Sequence, residues 1–224
     1  MDAPKNRSFS PLRLVLATGN LHKVQDIQEV FTQAGLAIEV LLPPPLEGLE
    51  ENEATFAGNA RLKADFVKTF ARKAGAQFTL GDDSGFIVDA LAGHQGLDDF
   101  PGVRSNRWLA GASNDTERCK GIYHLMREHS NRHARFVCAL ALLHLETEEW
   151  TEVEGQCALL IRQDETLRGS NGFGYDPMVH PVEAGTGEVL PVTMAELSLA
   201  EKNKRSHRAK ALHLLIKTLE KYTP

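Results

Sequence analysis

The apolar positions change period along the chain, and each change marks an element. Leu12-Arg13-Leu14-Val15-Leu16-Ala17 is a short apolar run suited to a strand buried on both faces. Thr18-Gly19-Asn20 breaks it, and Val24, Ile27, Val30 and Phe31 then recur on one helical stripe that Gly35 ends. Leu36 to Leu42 reads as a second strand, stopped by Pro43-Pro44-Pro45. An acidic, loop-like segment runs from Leu46 to Thr55, and a long helix is expected from about Thr55 to Ala74. Its inner side carries Phe56, Ala60, Phe66 or Val67, and Phe70. Gln77–Leu80 and Phe86–Val88 read as short strands on either side of the polar stretch Gly81-Asp82-Asp83-Ser84-Gly85, which reads as a turn. Beyond a Gly-rich loop (93–111), a helix is expected near Asn114–Glu128, then two β-like runs, Arg135–Leu145 and Trp150–Arg162. Residues 163–193 read as mostly loop. The end is helical: Ser198-Leu199-Ala200-Glu201 has the spacing of a capping box, and Ala209, Leu212, Leu215, Ile216 and Leu219 form a last stripe. Strands alternating with helices predict an α/β protein.

Composition narrows the function classes. The 224 residues are 42% hydrophobic and 25% charged, those of an ordinary globular protein with chain enough for a sizeable core. A formal net charge of -5 supplies no global basic field for a nucleic-acid polymer or an anionic membrane. Any polyanion must therefore be met by a local basic site. No apolar run approaches the roughly 20 residues of a membrane span. Residues 1–11 read as a loose polar tail without the apolar middle of a signal peptide. Cys119, Cys138 and Cys157 are an odd set without paired metal spacing, expected as buried thiols in a reducing cytoplasm.

The candidate chemistry sits in the polar breaks. Thr18 through Lys23 places a Gly turn at a helix start, where backbone N–H groups and the dipole favour an anion. Lys23 adds a full charge there, at the end of the helix where a cation does nothing for stability. Glu50, Glu51 and the Asp82-Asp83 pair could form an all-oxygen Mg²⁺ site beside substrate phosphates. Asn59 and Lys63, four apart on the following helix, can reach one partner together. Gly172-Phe173-Gly174-Tyr175-Asp176-Pro177 holds two aromatics between glycines, which suits either a flat ligand or a pinned turn. Lys202, His207 and Arg208 are donors for phosphate or for keto oxygens on a base edge, with Ser206 as an N-cap. The nine histidines form no zinc signature.

Six blocks, taken in order, resemble the inosine triphosphate pyrophosphatase family. They are Leu16-Ala17-Thr18-Gly19-Asn20 with Lys23; Thr55-Phe56 with Asn59-Ala60 and Lys63-Ala64; Asp82-Asp83-Ser84-Gly85 with Val88-Asp89-Ala90-Leu91; Pro101-Gly102-Val103; Gly172 to Pro177; and Ala195-Glu196-Leu197 with Glu201-Lys202 and Ser206-His207-Arg208. The resemblance implies a two-lobed α/β fold, a long mixed β-sheet flanked by helices with a cleft between the lobes, spanning residues 12–224 as one domain and usually a homodimer. It implies Mg²⁺-dependent hydrolysis of inosine, deoxyinosine and xanthosine triphosphates to the monophosphate and pyrophosphate. By position, Glu51 and Asp83 would bind the metal, with Asp83 the catalytic base. Thr18, Gly19, Asn20, Lys23 and Lys202 would hold the triphosphate, with Asn59, Lys63 and Ser84 also at the substrate. Phe173, Gly174, Tyr175 and Asp176 would enclose base and sugar, and His207 and Arg208 would read the purine edge. Gly58 stands where many members carry an acid, and the loop 92–100 is longer than usual. A pyrophosphatase for modified pyrimidines and a silent nucleotide-binding protein are the alternatives.

Overall fold

The computed structural model describes residues 11–223, so all of the expected tail but Pro11 lies outside the described residues. The chain runs β1 (Leu12–Ala17), α1 (Leu21–Gln33), β2 (Ile38–Leu41), α2 (Phe56–Phe66), α3 (Lys68–Lys73) and β3 (Phe78–Val88). It continues through β4 (Pro101–Gly102), α4 (Asp115–Leu125), β5 (His133–His144), β6 (Trp150–Ile161), β7 (Val179–Pro181), α5 (Leu199–Asn203) and α6 (His207–Leu219). The strands form one mixed sheet in the order β2-β1-β3-β5-β6-β7, with β4 paired to β3. β1 is parallel to β2 and β3, and the remaining pairs are antiparallel.

Two expectations are corrected here. The acidic stretch is no turn: Gly81 to Gly85 lie inside the eleven-residue strand β3, paired with β5 along its whole length. Turn-type residues are tolerated because neighbouring side chains, rather than water or local backbone, satisfy the carboxylates. The long helix is also interrupted. Val67 leaves the helical region (φ -88°, ψ 0°) between α2 and α3. Val67 is the buried member of the pair and Phe66 the exposed one.

Strand alternation then divides β3 into two rows. One row reads Phe78, Leu80, Asp82, Ser84, Phe86, Val88, and its apolar ends belong to different cores. Phe78 and Leu80 pack with β1, α1 and α6, whereas Phe86 and Val88 pack with α4, Tyr175 and Met178. These cores are the two lobes, and the polar pair Asp82/Ser84 marks the seam between them. The other row reads Thr79, Gly81, Asp83, Gly85, Ile87 and lies under α2. Glycine is required there by close approach: a Cβ on Gly81 would lie 1.9 Å from the Ala60 carbonyl oxygen, and one on Gly85 2.6 Å from the Phe56 ring. Gly81→Ala is expected to cost about 3 kcal/mol, the upper range for overpacking against backbone, read from urea denaturation. A loss below 1 kcal/mol would mean that α2 shifts freely on the sheet.

Candidate active site

The edge of β3 builds the site. On that edge β1 pairs only as far as Gly81, and β4 begins at Phe86. Residues 82–85 therefore lack a strand neighbour on one side. A cavity of about 460 Å³ opens there between the two cores. Consecutive residues of a strand point to opposite faces, so Asp82 and Asp83 flank this edge from either side.

Asp83 meets α2. Lys63 Nζ donates to Asp83 Oδ1 at 2.7 Å and to Glu51 Oε2 at 2.8 Å, so two carboxylates already converge on one cation. Asn59 Nδ2 donates to the second Asp83 oxygen at 3.2 Å, while its own carbonyl accepts from the Glu53 N–H. Burial pushes the Asp83 carboxyl above its ordinary value, against the pull of Lys63. Burial also opposes the Lys63 charge, but Asp83 and Glu51 outweigh it and hold the ammonium protonated.

Asp82 meets α1 and α6. Arg208 Nε donates to Asp82 Oδ2 at 2.8 Å, Lys23 ion-pairs with Oδ1, and Ser84 Oγ donates to Oδ1 at 2.9 Å. Arg208 Nη1 donates to Asp26 at 2.7 Å. Burial alone would raise the Asp82 carboxyl, yet Arg208 and Lys23 bring it well below the usual carboxylate range. Both helices are aimed by their caps. Asn20 accepts from the His22 N–H at the start of α1, and Ser206 accepts from the Ala209 N–H at the start of α6.

The third group joins the loop between β6 and β7 to Lys202 on α5. Asp176 accepts from Lys202 Nζ at 2.8 Å and from the Phe173 N–H at 3.2 Å. Gly172 makes the crossing possible: its φ is +93°, and a Cβ would come within 2.1 Å of Asp176 Oδ2 and 2.6 Å of Lys202 Nζ. Phe173 reaches the cavity, near Lys202 and Arg208 and stacked on His22 at 5.6 Å. Tyr175 differs from the sequence picture of a paired aromatic wall. It is buried, stacked on Phe86, and its hydroxyl donates to the Ser105 carbonyl. The capping box at Ser198 and Glu201 starts α5 and sets Lys202. Burial and the neighbouring Arg208 hold His207 well below its ordinary value, so its imidazole is neutral.

The structure thus gathers Thr18, Gly19, Asn20, Lys23, Glu51, Lys63, Asp83, Ser84, Phe173 to Asp176, Lys202, His207 and Arg208 around one cavity. Lys23 and Lys202, from opposite ends of the chain, line the same space. Asn59 is fully buried behind Asp83 and does not line it. Sequence reasoning gave no individual role to Asp82, Asp26, Asp115 or Arg118, all of which do. The row Phe78, Leu80, Asp82, Ser84, Phe86 carried a signal for Asp82, and Asp26 stands one helical turn beyond Lys23.

Comparison with known proteins decides the family. The Ham1 family model matches residues 14–218. The chain belongs to the Ham1 family. Among solved Ham1 structures, that of a HAM1 protein from Coxiella burnetii shares 32% identity at a TM-score of 0.73, covering 94% of this chain and 99% of that one. A nucleoside-triphosphatase (dITP/XTP pyrophosphatase) from Mycobacterium abscessus shares 31% identity at a TM-score of 0.65, covering 93% and 100%. A dITP/XTP pyrophosphatase from Gloeobacter violaceus is 37% identical over 203 residues, 91% of this chain and 92% of its own. All three run nearly end to end with this Ham1 chain.

Proposed function

We propose that this Ham1 protein hydrolyses non-standard purine nucleoside triphosphates (ITP, dITP and XTP) to the monophosphate and pyrophosphate, with Mg²⁺. It is an enzyme, a hydrolase of phosphoric anhydrides, as its dITP/XTP pyrophosphatase relatives are. The observation that carries the reading is the convergence of Asp83 and Glu51 on Lys63 in a cavity that Lys23 and Lys202 also line.

The donor set suits the ion. Two carboxylates offering only oxygen fit a hard divalent cation that completes its shell with substrate phosphates and water. Among the described residues no cluster of three His, Cys, Asp or Glu side chains is placed to hold a metal without substrate. Glu51 and Asp83 would hold Mg²⁺, which when bound neutralises phosphate charge and polarises the bond to be broken.

The side chains then divide the work. The α1 start, with Thr18, Gly19 and Asn20, presents its positive dipole end to the polyanion, and nothing fills the space beside Gly19. Lys23 and Lys202 exchange carboxylate partners for phosphate oxygens. Asp83, raised by burial, orients the attacking water and accepts its proton. Asn59 and Lys63 fix the rotamer of that carboxylate, and Ser84 stands at the open edge beside it. Phe173, Gly174 and Asp176 enclose base and sugar, with Tyr175 as the rigid support beneath them. His207 and Arg208 face the 6-keto edge, where a donor rewards hypoxanthine or xanthine and meets the adenine amine unfavourably.

The test is product identity. Inosine triphosphate with Mg²⁺ should release pyrophosphate, and excess chelator should reduce turnover at least a hundredfold, restored by added Mg²⁺. Orthophosphate as the sole inorganic product would overturn the reading in favour of stepwise dephosphorylation. We further propose a homodimer, checked by sedimentation, and a cytoplasmic enzyme whose three cysteines stay free and buried. Among the described residues no helix is long and apolar enough to cross a membrane.

A further inference from the structure

Five Lys and Arg side chains line the cavity: Lys23, Lys63, Arg118, Lys202 and Arg208. Four of them are ion-paired with the buried carboxylates Asp82, Asp83 and Asp176. Arg118 is held differently. Its Nη2 pairs with Asp115, one helical turn earlier on α4, and this is the one hydrogen bond its guanidinium makes among the described residues. Its Nε is buried without a partner, and its side chain is only 15% exposed. An arginine so enclosed, with two nitrogens unspent, has donor capacity held in reserve for something that enters the cavity.

Its anchorage says which part of a nucleotide it would meet. The second Asp115 oxygen accepts from the Gly174 N–H at 2.6 Å, so Arg118 is tied to the loop that carries Phe173 rather than to the Asp82–Asp83 edge. α4 packs in the core of Phe86 and Tyr175, whereas α6 packs from Ala209 onward in the other, with Arg208 paired to Asp82 and Asp26 and the His207 ring against Phe136. Arg118 and Arg208 thus reach the cavity from helices rooted in different lobes. Resting on the function proposed above, which assigns the 6-keto edge to α6, the opposite edge is left to α4. Purines differ there at position 2. Xanthine offers a keto acceptor, hypoxanthine a C–H, and guanine an amine whose N–H groups would face other N–H groups.

We infer that Arg118 is a specificity-determining residue that reads position 2 of the purine, donating to a 2-keto oxygen and excluding a 2-amino group. A planar guanidinium suits this task, because its spare N–H groups keep a fixed direction while Asp115 holds the rest. An unpaired donor buried against a second donor is costly, which supplies the rejection of guanine.

The experiment compares kcat/KM for xanthosine, inosine and guanosine triphosphates with Mg²⁺ in wild type, Arg118→Gln and Arg118→Lys. The xanthosine-to-inosine ratio should fall about ten- to a hundredfold in Arg118→Gln, the worth of one charge-assisted hydrogen bond. The loss should appear in KM, and guanosine triphosphate should gain on inosine triphosphate. Arg118→Lys retains a cation for Asp115 without the planar fork and should fall between, carrying the comparison should the glutamine variant not fold. An unchanged ratio, or equal losses for xanthosine and inosine triphosphates, overturns the inference and leaves the proposed function standing. A wild-type enzyme that releases pyrophosphate from neither overturns both.

Discussion

Asp83→Asn is expected to lower pyrophosphate release from inosine triphosphate by about three orders of magnitude or more, measured at saturating substrate and Mg²⁺. In the proposed mechanism one carboxylate serves two purposes, and the substitution removes both. As a proton acceptor alone it is worth about 10²- to 10⁴-fold. As one of the two carboxylates that would hold Mg²⁺, it also would supply half of the protein's anionic donors to that ion. The fold should survive. An asparagine oxygen can still accept from Lys63 or Asn59, and Glu51 keeps an ion pair with Lys63, so the urea midpoint should move little. The pH profile gives an independent check. In the proposed mechanism activity needs the unprotonated Asp83 carboxylate, so turnover should fall on an acid limb as that group takes up its proton. That limb should be absent from whatever rate the variant retains. Near-wild-type turnover in Asp83→Asn would remove Asp83 from the mechanism.

Much of this arrangement is legible in the amino acids, and what is not has a physical reason. The opening strand, the α1 stripe with Gly35 beyond it, the two long strands β5 and β6, and the caps at Ser198 and Ser206 all follow local rules and appear where those rules put them. Local rules misread residues 81–85, because Gly-Asp-Asp-Ser-Gly is turn chemistry on its own. Its conformation is imposed by partners distant in sequence: β5 on one side, α2 above, and cations from positions 23, 63 and 208. The pair Asp82-Asp83 read as a turn suggests two acids facing one ion. The same pair read as a strand places one acid in each half-site, and only the alternation of the pleat separates their roles. Tyr175 is a similar case. Its sequence neighbours are Gly174 and Asp176, yet its ring belongs to a core built from Phe86 and Trp108. Arg118 carries no local signal, since an arginine on a polar helix face is unremarkable until Asp115 and Gly174 are seen to hold it.

The division between the two acids leads to the largest expected loss of stability, Asp82→Asn. Asp82 is 1% exposed and lies at the seam of the two cores, where it ties β3 to Lys23 on α1 and Arg208 on α6. Removing one member of a buried ion network leaves the others charged and desolvated. Arg208 is 2% exposed and among the described residues would keep only Asp26 as an anionic partner, while Lys23 would keep none there. The expected cost is about 3–5 kcal/mol, read from urea denaturation with m unchanged. Asp26→Asn should cost less, because its carboxylate is closer to solvent and Asp82 would still neutralise Arg208. Acid denaturation should move as well. Asp82 titrates lower in the folded chain than in the unfolded one, so the unfolded state binds the proton first. Its stabilisation is complete above the ordinary carboxylate range and is lost as pH falls through the folded value, so the variant should lose this part of the acid-side slope. Nucleotide binding should recover part of the deficit, since a triphosphate supplies the anion that Lys23 then lacks, and ligand that binds only the folded chain stabilises it by mass action. A variant within 1 kcal/mol of wild type would show that the seam is held by the two apolar cores alone, and that the Asp82 network serves the substrate and not the fold.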